Sequence, residues 1–180
     1  MTIRSNPKQG LPSIAALFSF MLLATVASAA DRGTQTEAKA LLRKAVAHYK
    51  SVGREQALLD FNKKKSPFVD RDLYVMCLGP DDTIIADGGF PQVVGARADA
   101  LVEIDGKGWA VVVRQAAAAT GKGQQEYLWV NPVTQTMELK TMFFATMGKD
   151  ICGVGAYSPY NGKALTATPL VKFLLIPGSK

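Results

Sequence analysis

The stretch at residues 127–157, YLWVNPVTQTMELKTMFFATMGKDICGVGAY, most constrains what this chain can fold into. Its spacing predicts three consecutive β-strands, over residues 127–130, 139–147 and 151–157. β-branched, aromatic and long apolar residues fill the runs. Turn formers separate them: Asn131-Pro132 with Thr134 to Thr136, then Gly148-Lys149-Asp150. Links this short join neighbouring antiparallel strands. The rest of the chain must therefore cover and complete a sheet.

At 180 residues and 48% apolar content, the chain is sized for one domain with a substantial core. Residues 1–30 read as a secretory signal. Arg4 and Lys8 open it, residues 14–27 are apolar but for Ser19 and Thr25, and Ala27-Ser28-Ala29 is a small-residue cleavage site. The apolar run is short for a bilayer span. Cleavage near Ala29 or Ala30 is expected, giving a periplasmic or secreted protein. Loss of Arg4 and Lys8 leaves 19 basic against 15 acidic residues, a mild excess. No Arg-rich run or recognition-helix pattern points to nucleic acid.

Residues 34–50 form the strongest helical signal. Thr34 and Glu37 fit a capping box. Ala38, Leu41, Leu42, Ala45, Val46 and Tyr49 recur at helical spacing. His48, the only histidine, lies beside that stripe and reads as an edge or surface residue. Gly53 interrupts, and residues 54–62 resume as a second short helix, with Ala57, Leu58 and Phe61 inward. Residues 73–78 and 83–86 form a hairpin about the turn Gly79-Pro80-Asp81-Asp82. Residues 93–114 are broken by glycines, and Trp109 to Ala119 reads as a short helix. Helices segregated ahead of five antiparallel strands make an α+β arrangement.

Enzyme signatures are lacking. There is no G-x-S-x-G, H-E-x-x-H, P-loop or C-x-x-C motif, and one histidine argues against a histidine-based metal site or triad. No cofactor is indicated. Asp81, Asp82 and Asp87 form too sparse a set for calcium without further oxygen ligands. The chemistry-bearing pattern lies in the strands instead. Alternation puts Tyr127, Trp129 and Asn131 on one face, Lys140, Met142 and Phe144 on one face of the next strand, and Tyr74 and Met76 together on the first. Singly, the apolar members read as core. Lys140 stands apart: it lies among Leu139 and residues 142–145, and a lysine is rarely buried unpaired. Either its ammonium snorkels to solvent or it faces an anion.

The pieces A-L-L-D-F-N at 57–62, F-V-D-R-D-L-Y-V at 68–75, and Pro91 with V-V-G at 93–95 form an ordered series. It continues with D-G at 105–106, G-K-G at 121–123, Y-L-W-V-N-P at 127–132, Lys140, and V-G-A-Y at 154–157. In that order and spacing the chain resembles a single Cache domain, the PAS-like extracellular sensor module of bacterial receptors. The resemblance runs over residues 37–157. It implies a long N-terminal helix, a five-stranded antiparallel sheet, and a small-molecule pocket between the sheet and the crossover segment. A Cache domain over residues 31–157 leaves 158–180 as a C-terminal extension, which either packs back on the domain or serves a partner. The expected partners are a small molecule, with a short carboxylate favoured, and a membrane receptor or kinase. Tyr74, Met76, Tyr127, Trp129, Asn131, Lys140 and Tyr157 are the expected ligand-binding residues.

The resemblance also makes the strands of Cys77 and Cys152 neighbours. In an oxidising compartment these two form either a disulfide or two buried thiols. Bridging needs Cα atoms within about 7 Å. The other functional expectation is a structural or interaction protein of the periplasm with a vestigial pocket.

Overall fold

A computed structural model describes residues 32–100, 103–104, 107–160 and 169–170. The signal segment and its cleavage site, the Asp105-Gly106 pair and most of the C-terminal extension lie outside the described residues. In chain order the elements are α1 (Gln35–Val52), α2 (Arg54–Phe61), β1 (Val69–Asp70), β2 (Leu73–Leu78) and β3 (Ile84–Asp87). They continue with β4 (Glu103–Ile104), β5 (Lys107–Gly108), α3 (Trp109–Thr120), β6 (Lys122–Val130), β7 (Met137–Met147), β8 (Asp150–Ser158) and β9 (Pro169–Leu170). Among the described residues no helix is long and apolar enough to cross a membrane.

α1 starts where its capping box starts. The Glu37 amide donates to Thr34 Oγ1, and the Thr34 amide donates to Glu37 Oε2. Two donors that the first turn leaves orphaned are satisfied reciprocally. Its buried residues are Ala38, Leu41, Leu42 and Ala45, the spacing of one helical face.

The main sheet runs β1-β2-β8-β7-β6, with β3 paired to β2, and every pairing is antiparallel. It has six strands rather than five, because Val69–Asp70 adds a two-residue edge strand. β6 also starts five residues earlier than its apolar pattern indicates. Lys122, Gln124 and Glu126 are exposed on an edge strand, so backbone pairing to β7 holds them there and no hydrophobic periodicity marks them. Asp150, expected in a turn, opens β8. It is fully buried, and its carboxylate accepts from Tyr49 Oη at 2.8 Å and Arg54 Nε at 2.8 Å. A smaller sheet, β5-β4-β9, joins the crossover to Pro169–Leu170 in the C-terminal stretch.

Strand alternation divides the core in two. Leu73, Val75, Cys77, Phe143, Met147, Cys152, Val154 and Ala156 face α1 and α2. Tyr74, Met76, Leu78, Met142, Phe144, Ile151 and Tyr157 face the other way, under α3 and the crossover residues Val93 and Ala98. Cys77 and Cys152 sit opposite each other in register, with Cα atoms 4.0 Å apart, and a disulfide joins them on the helix-covered face.

Candidate ligand pocket

The crossover does not seal the second face completely. A pocket of about 310 Å³, its mouth included, opens between the sheet and α3. β2 supplies Tyr74 and Met76, β3 supplies Ile84 and Asp87, β6 supplies Tyr127 and Trp129, and β7 supplies Lys140. Ala98 and Trp109 close it from the crossover. That volume counts space open to solvent, and the enclosed part is small.

Lys140 is only 1% exposed. Its stem passes over Gly155 of β8, where a Cβ would lie 2.1 Å from Lys140 Cε. The missing side chain is what lets the lysine lie flat across the sheet. Its ammonium donates to Tyr74 Oη at 2.8 Å. It also stands over the rings of Tyr74 at 4.1 Å and Tyr157 at 5.1 Å, with Tyr127 at 6.0 Å. Ring faces attract a cation, most strongly where water is absent. Tyr74 Oη and Tyr157 Oη are 3.0 Å apart, and Tyr157 Oη donates to the Val130 carbonyl at 3.2 Å. The Tyr74 ring in turn lies where a Cβ on Gly89 would stand, 2.5 Å from Cε1.

An ammonium carries three N–H donors, and Tyr74 takes one. A second donor is also unspent. Trp109 Nε1 is the one buried side-chain nitrogen or oxygen among the described residues with no hydrogen-bond partner. A buried donor left unpaired carries a desolvation cost of about 1–3 kcal/mol, which an incoming acceptor relieves. Asp87 is the pocket's anion. Its Oδ1 accepts from the Gly89 amide at 3.0 Å and the Phe90 amide at 2.7 Å. Burial raises its pKa to about 6, against the pull of Lys140. Burial also lowers the Lys140 pKa to about 8, against the field of Asp87. At neutral pH the pocket therefore holds one cation and one anion, and no direct ion pair joins them within 4 Å.

Of the residues expected at the site, Tyr74, Met76, Tyr127, Trp129 and Lys140 line the pocket. Tyr157 stands behind, one hydroxyl away, holding Tyr74. Asn131 does not reach the pocket. β6 ends at Val130, so the alternation that aligned it with Trp129 stops. Its side chain donates instead to Asp72 Oδ2 at 3.0 Å and Glu138 Oε2 at 3.1 Å, and accepts from the Val133 amide at 2.8 Å. His48 pairs with Asp60 at 2.8 Å at the helical side of the molecule, away from the pocket. Asp87, Trp109, Ile84 and Ala98 are lining residues that the sequence pattern did not single out as ligand-binding. Asp87 carried the one available signal: an acid closing a buried strand just before Gly88-Gly89.

No protein-family model and no curated protein matches the chain. Solved structures do. A methyl-accepting chemotaxis protein from Vibrio parahaemolyticus is 16% identical, with a TM-score of 0.56 over 68% of this chain and 86% of its own. The periplasmic sensor domain of a chemotaxis protein is 18% identical, with a TM-score of 0.50 over 68% and 88% of the two chains. A Cache chemosensory domain, whose structure concerns carboxylic acid recognition, is 17% identical, with a TM-score of 0.50 over 68% and 86%. At these identities the likeness is one of fold. With helices on one face of an antiparallel sheet, the chain has the α+β, PAS-like fold of Cache domains.

Proposed function

We propose that this chain is an exported, periplasmic sensor-type binding protein without catalytic activity, and that its ligand is a short-chain carboxylate. A membrane receptor or kinase reads its occupancy. One observation carries the ligand class: Lys140 is buried, holds a single hydrogen bond to Tyr74, and lines a pocket that Trp109, its indole N–H unpaired, also lines. A cation and a neutral donor match a carboxylate's two oxygens, and charge-assisted hydrogen bonds are the strong ones. Met76, Ile84, Ala98 and Trp129 surround those donors with apolar wall, which suits a short aliphatic tail. The similarity to a Cache domain studied for carboxylic acid recognition supports the same class.

The test is a thermal-shift screen of acetate, propionate, pyruvate, lactate and amino acids on wild type and Lys140→Met. Methionine keeps much of the stem and removes the charge. A ligand at a hundredfold excess over its Kd stabilises wild type by about 2.7 kcal/mol, and the variant loses that gain. Equal stabilisation of both proteins refutes the role of Lys140. No response of wild type to any acid at millimolar concentration refutes the carboxylate assignment, and an interaction protein with a vestigial pocket then takes its place.

A further inference from the structure

Asp87 sits in the wrong place for a plain carboxylate site. It is 2% exposed, lines the same pocket as Lys140, and places a second negative group beside any bound anion. Lys140 and Asp87 together leave the empty pocket neutral. An anion entering unaccompanied would leave two buried negative charges against one positive, and an uncompensated buried charge is strongly disfavoured. Among the described residues, the surroundings of Asp87 offer no second cation at close range. Lys140 faces it from β7, and Lys64 after α2 acts on it more weakly. Tyr74, Tyr127 and Tyr157 face it from β2, β6 and β8 as neutral phenols, their ionisation pushed up by burial.

Building on the carboxylate assignment above, we propose that the pocket takes its acid together with one proton, which moves from solvent to the Oδ2 of Asp87. The geometry provides for this. Oδ1 is held by the Gly89 and Phe90 amides, whereas Oδ2 has no hydrogen-bond partner among the described residues. Protonated there, Asp87 becomes a donor, and the pocket then presents Lys140, Trp109 and Asp87 to the ligand's two oxygens. The competing occupant is a zwitterion whose ammonium sits on Asp87. An ammonium carries three N–H donors, and the one carboxylate oxygen left free in the pocket to accept from them is that Oδ2.

Asp87 in the empty pocket is half protonated near pH 6. Above that pH, each bound anion must recruit its proton from solution, so affinity falls about tenfold per pH unit. Below it the dependence levels off until the free acid itself protonates. The protein is thus a reader of acid and pH together.

The experiment is calorimetric titration of the folded protein with propionate at pH 5.5, 6.5 and 7.5, in pairs of buffers of different ionisation heat, and with alanine in parallel. Uptake approaching one proton per propionate at pH 7.5, with Kd rising about tenfold from pH 6.5 to 7.5, is expected. Asp87→Asn keeps an Oδ1 for the two amides and puts an N–H where the proton would sit. It is expected to bind propionate at pH 7.5 about tenfold or more tighter than wild type, with proton uptake cut to the fraction that Lys140, its pKa lowered by burial, takes up. Propionate binding by wild type without proton uptake overturns the proposal and leaves the carboxylate assignment standing. Alanine binding tighter than propionate, also without uptake, overturns it in favour of an ammonium on Asp87. Absence of propionate binding at every pH overturns both.

Discussion

Reducing the Cys77–Cys152 bridge should destabilise the fold by an amount that follows from chain topology. The two cysteines are 75 residues apart in sequence. In the chain-entropy description, a cross-link across that separation removes about 15 cal/mol/K from the unfolded ensemble, or about 4.5 kcal/mol at 25 °C. Between those cysteines the chain includes β3, the crossover, α3, β6 and β7, most of the pocket wall. Such a loss is a large share of the 5–15 kcal/mol by which folded proteins are typically stable. For a domain of this size it corresponds to a fall in Tm of roughly 10–20 °C. The assay is urea unfolding of the oxidised protein and of protein held in reductant, followed by circular dichroism. Reduction leaves both sulfurs in the core beside Val75, Ala86 and Val154, so no cavity is created. The m-value should also rise, because the reduced unfolded chain exposes more surface. A stability change under about 1 kcal/mol with an unaltered m-value would show that the loop is not what the bridge restrains.

Gly155→Ala should unsettle the site from beneath. Its Cβ would meet Lys140 Cε, Cγ and Cδ at 2.1, 2.6 and 2.9 Å. Overpacking of this kind costs about 1–3 kcal/mol, and the displaced ammonium should weaken propionate binding at least tenfold; unaltered affinity by calorimetry would mean that Gly155 does not set the lysine's path. The empty protein should also respond to acid through Asp87. Its pKa is raised to about 6 in the folded state, against about 3.9 unfolded. The folded state therefore holds the extra proton between those values. Stability from this group is fully present below about pH 4 and is lost as pH rises through 6, by up to about 3 kcal/mol. Urea unfolding from pH 4 to 7 should show that loss in wild type relative to Asp87→Asn, and parallel profiles for the two proteins would refute it.

The capping box, the apolar face of α1 and the three-strand run were legible because each is written within a few residues of itself. Thr34 and Glu37 are one helical turn apart, and strand alternation repeats every second residue. That short range sufficed to put Tyr127, Trp129 and Lys140 toward one side of a sheet. It misled at Asn131, where β6 stops at Val130 and the period has no further meaning. It was silent over residues 122–126, since an edge strand facing water needs no apolar pattern. Tertiary structure alone decided which charges share the pocket. Asp87 and Lys140 lie on β3 and β7, brought to one cavity by a sheet order in which β8 stands between β2 and β7. Trp109 left its indole unpaired only because α3 folded over that face. Local periodicity states which way a side chain points. What it then faces depends on partners far away in sequence, and so does whether a buried charge finds a counter-charge or leaves its place for a ligand.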